Sequence, residues 1–351
     1  MKIVLFDTIL ERHLCESLQR AFTELGHEVI YTDLILHGHS MISDPKHIEV
    51  MEAAIEKYID SSVDLVISFR PMNLNKALLA KIKKHAAIAI WLSDDPVLYK
   101  TCYGEVVDEY DIILHCGSER VLSFYKDKGH KAGVNFPFWT DNVALPNVYA
   151  PEYSTTDGIF LGNMHGAVRH KRYKEIAGLD CNIKIFGLLD SDFNGMHGGN
   201  IRDGYININK ISEQLQLAKF GISIPQYFES YIGLDEYYFD GLENLGYFQF
   251  PSRVIQYAAS GLPIVALGEQ DMKEVFPEIE VKKTINELRP YIQEIINDYD
   301  FALEQSNLIS KRFQKDYSAK SRALFLVDIM KNPEKILSGD SYTRSLSFTA
   351  Y

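Results

Sequence analysis

A chain of 351 residues exceeds a single average core, so two domains of about 150 residues each are expected. Its composition, 46% hydrophobic and 24% charged, is that of a globular protein, and its apolar runs fall far short of the ~20 residues of a membrane span. The net charge of −12 is shared along the chain, with 15 Lys and Arg against 21 Asp and Glu in residues 1–150, which weighs against a nucleic-acid partner. Cys15, Cys102, Cys116 and Cys181 are scattered without a CxxC pair, so neither a disulfide framework nor a zinc site is expected. Met1 leads straight into "KIVLFD", too short for the apolar core of a signal peptide. A cytoplasmic setting is the expectation.

From the start, short apolar runs alternate with amphipathic stretches. "KIVLFD" (2–7) reads as a strand, and 11–25 as a helix with Leu14, Leu18, Ala21, Phe22 and Leu25 at helical spacing. Strands follow at 27–33, 63–69, 86–92, 110–116 and about 132–136, with helices at 47–60, 74–84 and 118–128 between them. Such alternation implies a parallel, doubly wound sheet, because parallel strands need crossovers. Continuous apolar runs fit strands buried on both faces. Residues 139–156 lack periodicity and carry two prolines, a linker by composition.

Alternation then restarts. Strands are expected at 158–163, 182–187, 220–225 and 264–267, and helices at 168–177, 208–219 and over the run that starts at Ser252. Thr284 and Glu287 have the spacing of a capping box, and a long helical stretch occupies about 301–331. The resulting division is one Rossmann-like domain over 1–150, a second over 151–320, and a C-terminal helix and tail over 321–351 that packs back toward the first domain. The expected architecture is α/β: two Rossmann-like, doubly wound parallel-sheet domains facing across a cleft, with ligands outside the carboxyl ends of the strands.

Two helix starts carry cations where the helix dipole disfavours them. "LGNMHGAVRHKRYKEI" (161–176) ends a strand, passes Gly162 and Asn163, and opens a helix with Arg169, His170, Lys171 and Arg172. "FPSRVIQYAASGLPIVAL" (250–267) offers Ser252 as N-cap, Arg253 as the first helical residue, Gly261 as the C′ residue and Pro263 as the stop. An anion held between the two helix starts would offset both cations, since free N–H groups and the dipole already favour negative charge there. Gln256 lies at i+3 from Arg253, on the same face. The alternative is a solvated basic face with ordinary ion pairs.

Other candidates are weaker. Asp94 and Asp95 follow an apolar strand in "IWLSDDP" (90–96), where a carboxylate could deprotonate an attacking hydroxyl; Asp95-Pro96 is equally ordinary turn chemistry. "HGH" (37–39) lacks a third metal ligand. "LLDSDF" (188–193) spells DxD, but flanking Gly and Asn make it a loop, so no essential metal is expected.

The segment 251–265 resembles the donor-domain signature of GT-B glycosyltransferases, in which an Arg or Lys and a Glu on this helix bind the nucleotide sugar's phosphate and ribose. Through "WLSDDP" (91–96), "YDIILHCGSERVLSFYKDKG" (110–129), "FLGNMHGAVRHKR" (160–172) and "PSRVIQYAASG" (251–261) the chain is similar to the CgeB-like group, and the motif order also resembles phage DNA β-glucosyltransferases. The resemblance implies the GT-B fold, Arg169 and Arg253 as diphosphate ligands, and donor contacts from Arg172, Ser252, Phe186–Gly187 and the backbone of Ile224, Pro225 and Gln226. Gln256 departs from the usual Glu. The phage enzymes' Asp base would fall on Asp94 or Asp95, with Asp94 ahead because Asp95 precedes proline. His13 sits where some GT-B enzymes place a catalytic histidine, and it reads equally as a helix-surface residue. Retaining enzymes often carry a Glu-x7-Glu pair at this helix; Phe248 and Gln256 stand there, which favours inversion. The activity so implied is metal-independent and cofactor-free transfer from a nucleotide diphosphate sugar, UDP-sugar foremost, to a saccharide or cell-surface hydroxyl. A hydroxymethyl-pyrimidine DNA acceptor and a non-catalytic nucleotide-sugar-binding protein are the alternatives.

Overall fold

The computed structural model describes residues 1–8, 12–34, 45–69, 74–93, 96, 98–130, 133–141, 149–162, 167–187, 210–224, 250–268 and 270–332. Chain contacts divide it into two compact units, one built on Met1–Pro137 and the other beginning at Phe138 and ending at Ser318.

In the first unit β1 (Lys2–Thr8), α1 (Arg12–Glu24), β2 (Glu28–Leu34), α2 (Pro45–Tyr58), β3 (Leu65–Ser68), α3 (Lys76–Ile82), β4 (Ala87–Leu92), β5 (Ile112–His115), α4 (Glu119–Asp127) and β6 (Gly133–Asn135) follow one another. The strands form one six-stranded sheet in the order β2-β1-β3-β4-β5-β6, every pair parallel. Ile3, Val4, Leu5 and Phe6 are all buried, as are all four residues of β5, so the continuous apolar runs do mark strands covered on both faces. Asn75 and Ser118 cap α3 and α4 by accepting from Leu78 N (3.0 Å) and Arg120 N (3.3 Å).

The second unit holds β7 (Thr156–Leu161), α5 (Ala167–Ala177), β8 (Ile183–Phe186), α6 (Ile211–Leu215), β9 (Ala218–Ser223), α7 (Ser252–Ala259), β10 (Ile264–Leu267), β11 (Glu280–Lys282), α8 (Ile285–Asn297) and α9 (Tyr299–Arg312). Its five strands are also wholly parallel, ordered β11-β10-β9-β7-β8. Alternate residues of β10 go to opposite apolar layers: Ile264 and Ala266 to the one that contains α7, Val265 and Leu267 to the one that contains Tyr173 of α5 and Leu288 of α8. The doubly wound architecture is therefore present in each unit. α10 (Ala319–Lys331) closes the described chain, belongs to the first unit and packs on α1. Among the described residues no helix is long and apolar enough to cross a membrane.

Three expectations need correction. The helix expected over 208–219 ends early, with α6 stopping at Leu215 and β9 beginning at Ala218: Ile211, Leu215 and Ala218 are all buried at helical spacing, so periodicity carries the helix past its end. The stretch 301–331 is not one helix; a wide π-type turn over Phe313–Tyr317 and extended Ser318 separate α9 from α10. β11 has no counterpart among the expected strands, because three residues with one buried side chain give no apolar run. The Thr284 cap is present: its hydroxyl accepts from Glu287 N (3.3 Å), while the Glu287 carboxylate reaches back to Lys283 N (3.1 Å).

Candidate functional site

In the second sheet the chain leaves β7 for β8 on one side and returns to β9 on the other, so β7 and β9 flank the topological switch point. Open parallel sheets take their ligands in the crevice outside the carboxyl ends of such a pair. Leu161 and Ser223 are those carboxyl ends, and α7 is tied to both strands there.

The tie is a pair of side chains one helical turn apart. Arg253 Nε donates to Leu161 O at 2.7 Å, and Leu161 N donates to the Tyr257 hydroxyl at 2.9 Å. Tyr257 in turn donates to Ile222 O of β9 at 3.1 Å. Burial raises the phenol's pKa, with the Arg253 and Arg172 guanidiniums pulling the other way, so it stays protonated and able to donate. Its ring lies on Gly221, where a Cβ would stand 2.4 Å from the ring carbon Cγ. The far end of α7 closes in a Schellman motif, with Leu262 N bonding Tyr257 O (3.0 Å), Gly261 N bonding Ala258 O (3.1 Å) and Gly261 at φ +68°. At the near end Pro251, not Ser252, is the N-cap; exposed Ser252 is the first helical residue and makes no capping bond. Arg253 is thus the second helical residue. Val254 N instead donates to Pro251 O (3.1 Å), so the backbone meets one of the first-turn N–H groups that a side-chain cap would otherwise serve.

Phe160 gathers two cations. The Arg253 guanidinium carbon lies 4.7 Å from its ring centroid and that of Arg172 lies 5.7 Å away. Arg172 is 4% exposed, so it is not part of a solvated basic face. Gly162 completes the arrangement at φ +146°, with Phe160 Cε1 3.1 Å and Arg253 Nη2 3.3 Å from where a Cβ would be. The glycine makes room for the arginine. Two like charges over one ring repel, and an anion between them would offset that repulsion. Arg169 falls in the first turn of α5, and its side chain lies outside the described residues, as do Asn163, Pro225 and Gln226.

Gln256 is buried, and its Oε1 finds no donor among the described residues. The same holds for the hydroxyl of Ser223 at the end of β9, which is fully buried. Ile224, next in the chain, is fully buried too. Phe186 ends β8, and its carbonyl already accepts from Gly162 N (2.9 Å), while its ring packs on the apolar layer beside α7; Gly187 is buried after it.

Solved structures share this architecture. Sucrose-phosphate synthase from Thermosynechococcus elongatus superposes with a TM-score of 0.64 at 13% identity, over 95% of this chain and 99% of that one. A glycosyltransferase from Rickettsia africae does so at 0.59 and 13%, over 97% and 99%. Anabaena HepE, in complex with UDP-glucose, does so at 0.60 and 11%, over 95% and 100%. The fold is GT-B. No family model matches the chain, and no curated protein sequence matches it.

Within this GT-B chain the remaining candidates for the base lie in the first unit. Asp94 and Asp95 follow β4 and fall outside the described residues. His13 is in the first turn of α1, partly buried. The DxD at 190–192 and "HGH" at 37–39 are likewise outside the described residues, and among those that are described no His, Cys, Asp and Glu cluster could hold a metal. Sequence reasoning missed Tyr257, which reads as core in an apolar helix. Gly221 inside an apolar strand was the available signal, since a strand glycine often marks close approach of a neighbour. It also missed His115, the carboxyl-terminal residue of β5, fully buried, with Nδ1 accepting from Gly117 N (3.2 Å).

Proposed function

We propose that the chain is a glycosyltransferase that moves a sugar from a nucleotide diphosphate sugar, a UDP-sugar foremost, to an acceptor hydroxyl. The observation that carries this reading is Arg253, fixed by Leu161 O and the Phe160 ring at the β7/β9 switch point, with Arg172 over the same ring. Guanidiniums suit a diphosphate because their fork donates bidentately and never loses its charge. UDP-glucose in HepE supports the donor class. In the proposed reaction the acceptor oxygen bonds to the anomeric carbon as the bond to the diphosphate breaks. The departing pair settles on phosphate oxygen, where Arg253, Arg172 and Arg169 neutralise it. The acceptor proton passes to Asp94 or Asp95, with His13 the weaker candidate base. Buried Gln256 can accept from a ribose hydroxyl through Oε1, a role its amide shares with the usual carboxylate.

Inversion, independence of metal and a saccharide acceptor complete the proposal. The net charge of −12 supports a saccharide over a DNA acceptor, and the CgeB-like resemblance remains part of this reading. The test is a thermal-shift panel of UDP-, GDP-, CMP- and dTDP-sugars on the native chain. A donor that binds only the folded state raises the melting temperature, and by about 2.7 kcal/mol of stabilisation at a hundredfold excess over Kd. UDP-sugars should shift the wild type and leave Arg253→Ala unmoved. Silence across the panel would overturn the proposal.

A further inference from the structure

A cavity of about 480 Å³ opens in the same unit, at the ends of the strands opposite the arginine site. Ala218, the first residue of β9, and Leu262, just ahead of β10, form part of its wall, together with buried Tyr149. Strands of six residues at ~3.3 Å each separate it from the arginine site by about 20 Å. Its size falls within the ~300–1,000 Å³ usual for small-molecule sites.

Its chemistry differs from that of the arginine site. The lining includes the carboxylates of Glu152 and Glu213, both on the exposed rim, and no Lys or Arg among the described residues. Such a rim repels phosphate, so a nucleotide does not belong here. One tyrosine offers a ring face, Tyr153, 73% exposed, while buried Tyr149 closes the wall with its ring stacked on Tyr299 at a centroid distance of 6.1 Å and 21°. Ser260, the residue that C-caps α7, also lines the cavity; it is 6% exposed, and its hydroxyl has no partner among the described residues. A buried hydroxyl left unsatisfied calls for a polar ligand atom. A ring face for C–H surfaces, acceptors for hydroxyl protons and no cation together fit one class of ligand.

We infer that this cavity is a binding site for a neutral saccharide, separate from the donor site. The proposal stands apart from the transferase reading, because its probes carry no nucleotide and its readout needs no turnover. Saturation-transfer NMR with maltotriose, cellotriose and triacetylchitotriose on the full chain tests it, beside Tyr153→Ala and Glu213→Gln. Both positions are exposed, and melting curves establish that each variant folds. At least one trisaccharide should bind, and Tyr153→Ala should weaken it about tenfold through loss of the stacking face. Absence of any trisaccharide signal overturns the site. So does binding that both variants leave unchanged, or a preference for spermidine that Glu213→Gln abolishes, which would mark an amine site.

Discussion

Leu161 is held at both of its peptide groups, its carbonyl by Arg253 and its N–H by Tyr257. Tyr257→Phe removes one oxygen and leaves the Leu161 N–H and the Ile222 carbonyl buried without that partner. An unsatisfied buried group costs about 1–3 kcal/mol. For a protein of this size the melting temperature should fall by roughly 3–10 °C, measured by circular dichroism. An unchanged melting curve would refute the role given to this hydroxyl. At this scale the sequence is partly legible. Arg253 announces itself as a cation at the wrong helix end, but the burial of Gln256 and Arg172 does not, since exposure depends on what tertiary packing lays over a helix face. Ser252 reads as the cap because serine so often is one, and local propensity cannot see that the helix starts one residue earlier, with extended Pro251 as its cap.

Between elements, the contact that seats α7 on the sheet is Gly221 beneath the Tyr257 ring. A methyl group at Gly221 would sit 2.4 Å from an aromatic carbon in a ring fixed by two hydrogen bonds, so strand and helix must separate. Gly221→Ala should therefore destabilise at the upper end of ~1–3 kcal/mol in urea denaturation. In a Tyr257→Ala background the same change should be far milder, a coupling that a double-mutant cycle reads directly. Equal costs in both backgrounds would remove the steric explanation. Most elements are legible because parallel strands buried on both faces are apolar runs, and their helices carry one apolar stripe. The failures share a cause: α6, the α9–α10 break and β11 are places where spacing continues through a change of structure, or where an edge strand is too short to show any.

For the molecule as a whole, acidity acts through a histidine of the first unit. Burial pushes the His115 imidazole down to about 3, whereas an unfolded histidine titrates near ~6.5. Between those values the unfolded chain binds a proton that the folded chain refuses. Its contribution is whole above ~6.5 and is lost as the pH falls toward 3, by up to about 1.4 kcal/mol per pH unit. Urea midpoints at pH 7 and pH 5 should show that loss, and His115→Asn, which keeps an acceptor for Gly117 N, should flatten it. A slope identical to wild type would assign the acid sensitivity elsewhere. At this scale too, the two-unit α/β plan is readable from alternation alone, whereas the cavity at the amino ends of the second sheet is not, being assembled from three separated stretches of chain. The hold on Leu161 has a further consequence, one of rotational phase. Each residue added to a helix rotates the remainder of that helix by about 100°. One insertion between Arg253 and Tyr257 would swing one of the two side chains off the strand end, whichever end of α7 stayed anchored. The interval of four residues therefore behaves as a fixed count, and α7 can change its residues far more readily than its length.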